Sequence, residues 1–257
     1  MIEKISLIGA GNLSTQLGKA LKKAGLNMVQ VYSRTEASAK ELAALLDCPY
    51  TSNIENLRES DLFIVAVKDD ALAPVLKQLD VKQSILVHTA GSIPMEILER
   101  QGGKTGVFYP LQTFSKKRDV VFSNIPVCLE ANSPEVFEEL ELLARRLSEI
   151  VCKVNSEERK ILHLAAIFAC NFVNYFYHLG AHLVEEKGLD FNLLKPLIME
   201  TAQKVMTMDP IDAQTGPAVR FDETIIKKHL NLLSGKPELL KIYSFVSENI
   251  HQTFKTK

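Results

Sequence analysis

The chain has 257 residues, 46% of them hydrophobic and 24% charged, with a formal net charge of −1. That length suits one large or two modest domains, either able to bury a core. The balance is ordinary for a soluble globular protein, and the near-neutral charge gives no overall field favouring nucleic acid or an anionic membrane. Four well-separated cysteines, Cys48, Cys128, Cys152 and Cys170, form no C-x-x-C pair and sit among apolar residues. They read as buried free thiols in a reducing compartment, and the N-terminus, which enters an apolar run at once, does not read as a signal peptide. The expected location is cytoplasmic.

Ile5, Leu7 and Ile8 form a short apolar run broken by Gly9-Ala10-Gly11. Leu13, Leu17, Ala20, Leu21 and Ala24 then recur at helical spacing, closed by Gly25. The pattern is strand, glycine turn, helix and C-terminal cap. Gly9 permits the turn, and Gly11 lets the backbone approach a pyrophosphate at the helix N-terminus. Ser14 stands where the third glycine or alanine of G-x-G-x-x-G would be, one hydroxyl larger than alanine. Gly9, Gly11, Asn12 and Leu13 are therefore the first cofactor-binding candidates.

A second strand over 28–32 leads into Ser33, Arg34 and Thr35, with Thr35 as N-cap of a helix over 36–46. NAD sites place a carboxylate at this point to bind the ribose hydroxyls. Here a hydroxyl, a guanidinium and a second hydroxyl stand there, a set suited to a 2′-phosphate, so NADP is the expected cofactor. A marginal strand follows over 48–51. Residues 62–67 are continuously apolar, as in a strand buried on both faces, and they run into Val67 and Lys68 at a carboxyl end, where ligands bind. Asp70 reads as the cap of a helix over 71–79. The strand over 84–88 ends in Thr89-Ala90-Gly91-Ser92, a small polar loop placed to border a nicotinamide, with Thr89 for cofactor and Ser92 for substrate.

A helix over 94–101 precedes a strand and aromatic-rich loop, Gly106-Val107-Phe108-Tyr109-Pro110-Leu111-Gln112-Thr113-Phe114. The basic run Lys116-Lys117-Arg118 reads as a solvated turn. A strand over 125–130, a helix from Ser133 to about 147 and a strand over 149–154 complete an α/β doubly wound domain, residues 1–154.

Strand signals stop there, and residues 155–257 read as an all-α domain. Ser156 reads as the cap of a long helix in which residues 161–184 contain no Asp, Glu, Lys or Arg. A span of about 20 such residues could cross a bilayer. On an ideal helix, however, His163, Asn171, Asn174, His178 and His182 share one stripe of roughly 100°, which lipid would penalise. The expectation is a buried central helix with one polar face, not a membrane span. His178 and His182 stand i,i+4, but nothing fixes a third ligand, so no metal site is expected. Asp190 and Asp222 read as caps of later helices, separated by a turn-rich loop carrying Arg220, a surface charge or a carboxylate-binding group.

The segments GAGNLS, VYSRT, VHTAGS, GVFYPLQTF, HLAAIFACNFVNYF and TGPAVRFDETIIKKHL together resemble the 6-phosphogluconate-dehydrogenase-like superfamily of NAD(P)-dependent oxidoreductases. Within it the chain is most similar to a branch of NADP oxidoreductases related to pyrroline-5-carboxylate reductase and to deazaflavin-dependent NADP oxidoreductases. The resemblance implies an N-terminal Rossmann domain, a helical C-terminal domain, and a homodimer built through the C-terminal helices. It also implies hydride transfer between NADP(H) and a small polar substrate held between the domains. Hydroxyacid dehydrogenases of the superfamily place a lysine four residues before an asparagine on the long helix. Here Lys160 is followed by Leu164 and Asn171 is preceded by Ile167, so that lysine mechanism is not expected. His163 becomes the proton-transfer candidate and Asn171 the group orienting a carbonyl or imine, with Arg220 at the substrate. The competing readings are a non-catalytic NADP-binding sensor or scaffold, and hydride exchange with a second, flavin-like cofactor.

Overall fold

The computed structural model describes residues 1–81 and 84–255. The chain divides into two compact units, Met1–Cys170 and Asn171–Lys257.

The first unit holds eight strands: β1 (Lys4–Ile8), β2 (Asn27–Tyr32), β3 (Tyr50–Thr51), β4 (Leu62–Val65), β5 (Ile85–His88), β6 (Lys104–Pro110), β7 (Val127–Ala131) and β8 (Val151–Lys153). They form one sheet in the order β3-β2-β1-β4-β5-β6-β7-β8, parallel at every junction except β6–β7. Helices α1 (Asn12–Lys23), α2 (Glu36–Leu46), α3 (Asp69–Leu76), α4 (Pro134–Arg145) and α5 (Ser156–Ala166) belong to this unit. The chain is therefore α/β, a doubly wound Rossmann-type sheet followed by helices.

Strand periodicity explains the layers. Successive side chains point to opposite faces. Ile5 and Leu7 of β1, Leu62 and Ile64 of β4, and Ile85 and Val87 of β5 enter one core with Leu17, Leu42 and Leu140 of the helices. Ile8, Phe63, Val65 and Leu86 enter the other with Leu72 and Leu76 of α3. Both faces are covered, which is why these strands read as unbroken apolar runs. Gly9 leaves β1 with φ +115°, and a Cβ there would lie 2.3 Å from the Ala66 carbonyl oxygen. Only glycine fits this crossing between β1 and β4, where the strand order reverses. Ser14, at the third-glycine position, is fully buried and donates to the same Ala66 carbonyl at 3.3 Å.

Several caps differ from expectation. Helix α3 starts two residues early, with Lys68 at the N-cap, so Asp69 and Asp70 lie in its first turn and complement its dipole instead of capping it. Thr35 occupies the N-cap of α2 without a side-chain bond. The cap of α5 is Asn155, not Ser156. Asn155 and Glu158 form a reciprocal capping box, each bond 2.9 Å, while the Ser156 hydroxyl is engaged by Glu130. The segment over 94–101 is a 3-10 helix, Met95–Gln101. Not all four thiols are buried, for Cys170 is exposed.

Helix α5 passes through a π segment, Ile167–Phe172, into α6 (Val173–Glu185). The π turn interrupts the α-helical spacing from which the single stripe was expected. Nor is this helix buried in the chain. Ile161 is 68% exposed, Phe168 61% and Tyr175 51%, and Asn171, Asn174, His178 and His182 are exposed as well. Its apolar surface is intrinsic to the sequence, but the described chain does not cover it.

The second unit continues with α7 (Lys195–Lys204), α8 (Pro210–Ala213), α9 (Glu223–Leu232) and α10 (Pro237–Lys255). Asp222 caps α9 by accepting from the Ile225 N–H, and Asp190 caps a 3-10 turn, Phe191–Leu194, ahead of α7. Among the described residues no helix is long and apolar enough to cross a membrane, and no group of three or more His, Cys, Asp or Glu could hold a metal ion.

Candidate active site

The carboxyl ends of β1, β2, β4, β5 and β6 open on the same edge of the sheet. From β1 come Gly9, Gly11, Asn12 and Leu13. No atom lies within 4 Å of a Cβ built on Gly11, which leaves open space over the first turn of α1. The Gly11 N-cap supplies no side-chain bond to that turn. Free N–H groups and open space beside a glycine are what a pyrophosphate requires.

From β2 come Ser33, Arg34 and Thr35. Arg34 and Thr35 are exposed, and no carboxylate stands among the three. From β4 come Val67, half-buried, and Lys68, exposed. From β5 comes Thr89, buried, its N–H bonded to the Val65 carbonyl at 3.2 Å. The exposed Ser92 hydroxyl donates to the Asp69 carboxylate. These residues fit a dinucleotide with an extra phosphate on its ribose.

His163 meets this edge. Its Nδ1 lies 3.0 Å from the Tyr109 hydroxyl at the end of β6, the two rings edge to face. Both rings press against Gly91, where a Cβ would fall 2.6 Å from His163 Nδ1 and 2.9 Å from Tyr109 Cζ. A side chain at 91 would push the imidazole away. Burial pushes the Tyr109 hydroxyl up to about 12, so it stays a neutral phenol. With Nδ1 held by that phenol, Nε2 is the ring nitrogen left to exchange a proton with a ligand.

One turn earlier on the same helix face, Arg159 is fully buried. It forms an ion pair with Glu130 on β7 and donates to the Ile93 carbonyl at 2.8 Å and to Ser156 Oγ at 3.1 Å. The Met95 N–H donates to Ser156 Oγ at 2.9 Å. This network fixes the start of α5 against β7 and the segment after Ser92, and so sets where His163 stands. His88, buried at the end of β5, accepts from the Ala90 N–H through Nδ1 at 3.1 Å. Burial first, and then the nearby Arg159 charge, lower its pKa to about 3. It is a neutral structural histidine. Its Nε2 is buried without a hydrogen-bond partner among the described residues.

Asn171 and Arg220 belong to the second unit, both exposed. Arg220 precedes Phe221, a non-glycine residue at φ +48° that stacks on His251 with ring centroids 3.9 Å apart.

Sequence reasoning missed Tyr109, Arg159 and Glu130. Tyr109 and His163 are 54 positions apart and Arg159 and Glu130 are 29 apart, so no local spacing joins them.

Comparison with known proteins gives two family models. Residues 4–91 match the family described as NADP oxidoreductase, coenzyme F420-dependent, and residues 125–250 match a domain of unknown function, DUF2520. Among solved structures, a provisionally described NADP oxidoreductase of Bacteroides fragilis is 46% identical, with 98% of each chain covered and a TM-score of 0.94. Pyrroline-5-carboxylate reductase of Streptococcus pyogenes is 17% identical over 97% of this chain and 98% of that one, TM-score 0.64. An imine reductase of Myxococcus stipitatus in complex with NADP+ is 19% identical over 98% of this chain and 93% of that one, also at TM-score 0.64. The last two share the fold. The chain also aligns with glutamyl-tRNA reductase of Streptomyces coelicolor at 32% identity over 105 residues, and it spans only 18% of that curated relative's length.

Proposed function

The chain belongs to the NADP oxidoreductase family that includes the Bacteroides fragilis protein, and from that premise we propose that it transfers a hydride between NADP(H) and a small polar substrate, with His163 as the proton-transfer group. One observation carries the reading: His163 is held by Tyr109 at 3.0 Å, against Gly91 of the 89–92 loop. That loop lies at the edge where the nicotinamide of a Rossmann cofactor belongs. The bound cofactor supplies or accepts the hydride. The remaining chemistry is the chain's own.

When His163 acts as an acid, its Nδ1–H donates to the Tyr109 oxygen and Nε2 releases a proton to the substrate heteroatom, as the adjoining carbon gains the hydride. The neutral phenol holds the ring's orientation without taking its proton. Thr89 contacts the cofactor and Ser92, whose hydroxyl has Asp69 as acceptor, contacts the substrate. Asn171 orients the carbonyl or imine, and Arg220 binds a substrate carboxylate. The helices after Lys153 serve substrate binding and dimerisation, in the cytoplasm, where free thiols persist. A homodimer through these helices is supported by the exposed apolar surface of α5 and α6.

The test is NADPH oxidation against a panel of small carbonyl and imine compounds. For any substrate found, His163→Ala should lower turnover by about 10²–10⁴-fold while NADPH still binds. Undiminished turnover would remove His163 from the mechanism.

A further inference from the structure

The 111–121 loop joins β6 to its antiparallel neighbour β7, and three residues of α1 hold it. Asn12 Oδ1 accepts from the Lys116 N–H at 3.3 Å. Gln16 Nε2 donates to the carbonyls of Ser115 at 2.7 Å and Arg118 at 3.0 Å. Lys19 Nζ reaches Asp119 at 2.7 Å. Positions 12, 16 and 19 share one helix face, so the loop is strapped along α1. Gln16 is only 3% exposed, so its two bonds are made largely away from water, where leaving them unmade is costly. Ser115 and Arg118 pair as an isolated bridge, with Lys116 and Lys117 between them. From its anchor beside Asn12, the Lys116 side chain extends to α2, where Nζ meets Glu41 at 2.9 Å.

The strap places the backbone of Lys116 at the first residue of the glycine-turn helix, while Lys117 and Arg118 stay exposed. We propose that Lys116 is a second cation for the 2′-phosphate of NADP, acting with Arg34 across the cofactor site. This rests on the NADP reading above. The side chain runs from the pyrophosphate end of the site toward the helix that follows Ser33, Arg34 and Thr35. In a Rossmann site the ribose 2′ position faces the end of the second strand, on the α2 side, and the pyrophosphate sits at the α1 N-terminus. Glu41 is 59% exposed, so the pair that holds Lys116 is weak and exchangeable for a phosphate with more charge and more acceptor oxygens. Glu41 keeps the lysine extended when no phosphate is present.

The experiment measures NADPH and NADH affinities by nicotinamide fluorescence, at low and high salt, for the wild type, Lys116→Gln and Glu41→Gln. Lys116→Gln should weaken NADPH about tenfold, leave NADH within about twofold, and flatten the salt dependence of NADPH binding. Glu41→Gln removes the competing carboxylate and should tighten NADPH. Unchanged NADPH affinity in Lys116→Gln overturns the proposal, as does an equal loss of NADPH and NADH or a weakening by Glu41→Gln. A wild type that binds neither nucleotide would instead overturn the cofactor reading, and this proposal with it.

Discussion

Replacing Gly91 with alanine probes the site with one methyl group. Gly91 is not among the positive-φ glycines, so its backbone accepts alanine and the effect is steric. The new Cβ would lie 2.6 Å from His163 Nδ1, 2.8 Å from His163 Cγ and 2.9 Å from Tyr109 Cζ. Carbon contacts settle at about 3.5–4.0 Å, so the two rings must retreat by roughly 1 Å. Overpacking of this kind costs about 1–3 kcal/mol, to be read as a lower urea midpoint at unchanged slope. A misplacement of about 1 Å in a proton-transfer group costs on the order of 10²-fold in turnover. Histidine side-chain NMR would report loss of the bond to Tyr109. Gly11→Ala is the comparison: with nothing within 4 Å it should leave stability unchanged. A Gly91→Ala protein with wild-type stability and an unshifted His163 signal would refute the packing described for these rings.

The acid limb of stability should carry the signature of His88. Its folded pKa, lowered to about 3, lies below the unfolded value near 6.5, so its contribution is complete above about pH 6.5 and is lost as pH falls toward 3. The loss is roughly 2 kcal/mol by pH 5, and His88→Gln should show a correspondingly flatter decline between pH 7 and 5; an identical decline would contradict this. Glu130→Ala leaves the buried Arg159 guanidinium without its carboxylate and should cost about 3–5 kcal/mol in chemical denaturation. A loss below about 1 kcal/mol would mean that the network does not fix α5. Sedimentation should give a dimer for the wild type and a monomer for the Leu164→Glu, Phe176→Glu double variant, since both side chains are exposed in the single chain. A monomeric wild type would exclude the dimer.

Local patterns made much of the fold legible. The Gly9 turn, the hydroxyl–guanidinium–hydroxyl end of β2, and the caps Ser133 and Asp222 are each short motifs whose chemistry acts over one to four residues. The errors arose where two local signals compete or where tertiary pairing decides. Asn155 and Ser156 are both capping residues. Asn155 wins because Glu158 stands at the reciprocal position and Ser156 bonds Glu130 on a distant strand. The π turn over Ile167–Phe172 leaves no such mark, and it interrupts the α-helical spacing on which the polar stripe depends. Tyr109 looked like one aromatic in an aromatic loop until β6 carried it to His163. The basic run at 116–118 is solvated at Lys117 and Arg118, but its backbone is held by Gln16, about a hundred residues away, and no local spacing reveals that hold.

The most direct test of the central claim is a titration of NADPH, and in parallel NADH, into the wild type and Arg34→Ala. The nicotinamide's own fluorescence reports binding, since the chain has no tryptophan. Tight NADPH binding, weak NADH binding, and loss of that preference in Arg34→Ala is the expected result. Equal affinity for both nucleotides, unchanged in Arg34→Ala, would contradict the 2′-phosphate site, and binding of neither would contradict an NADP-dependent oxidoreductase.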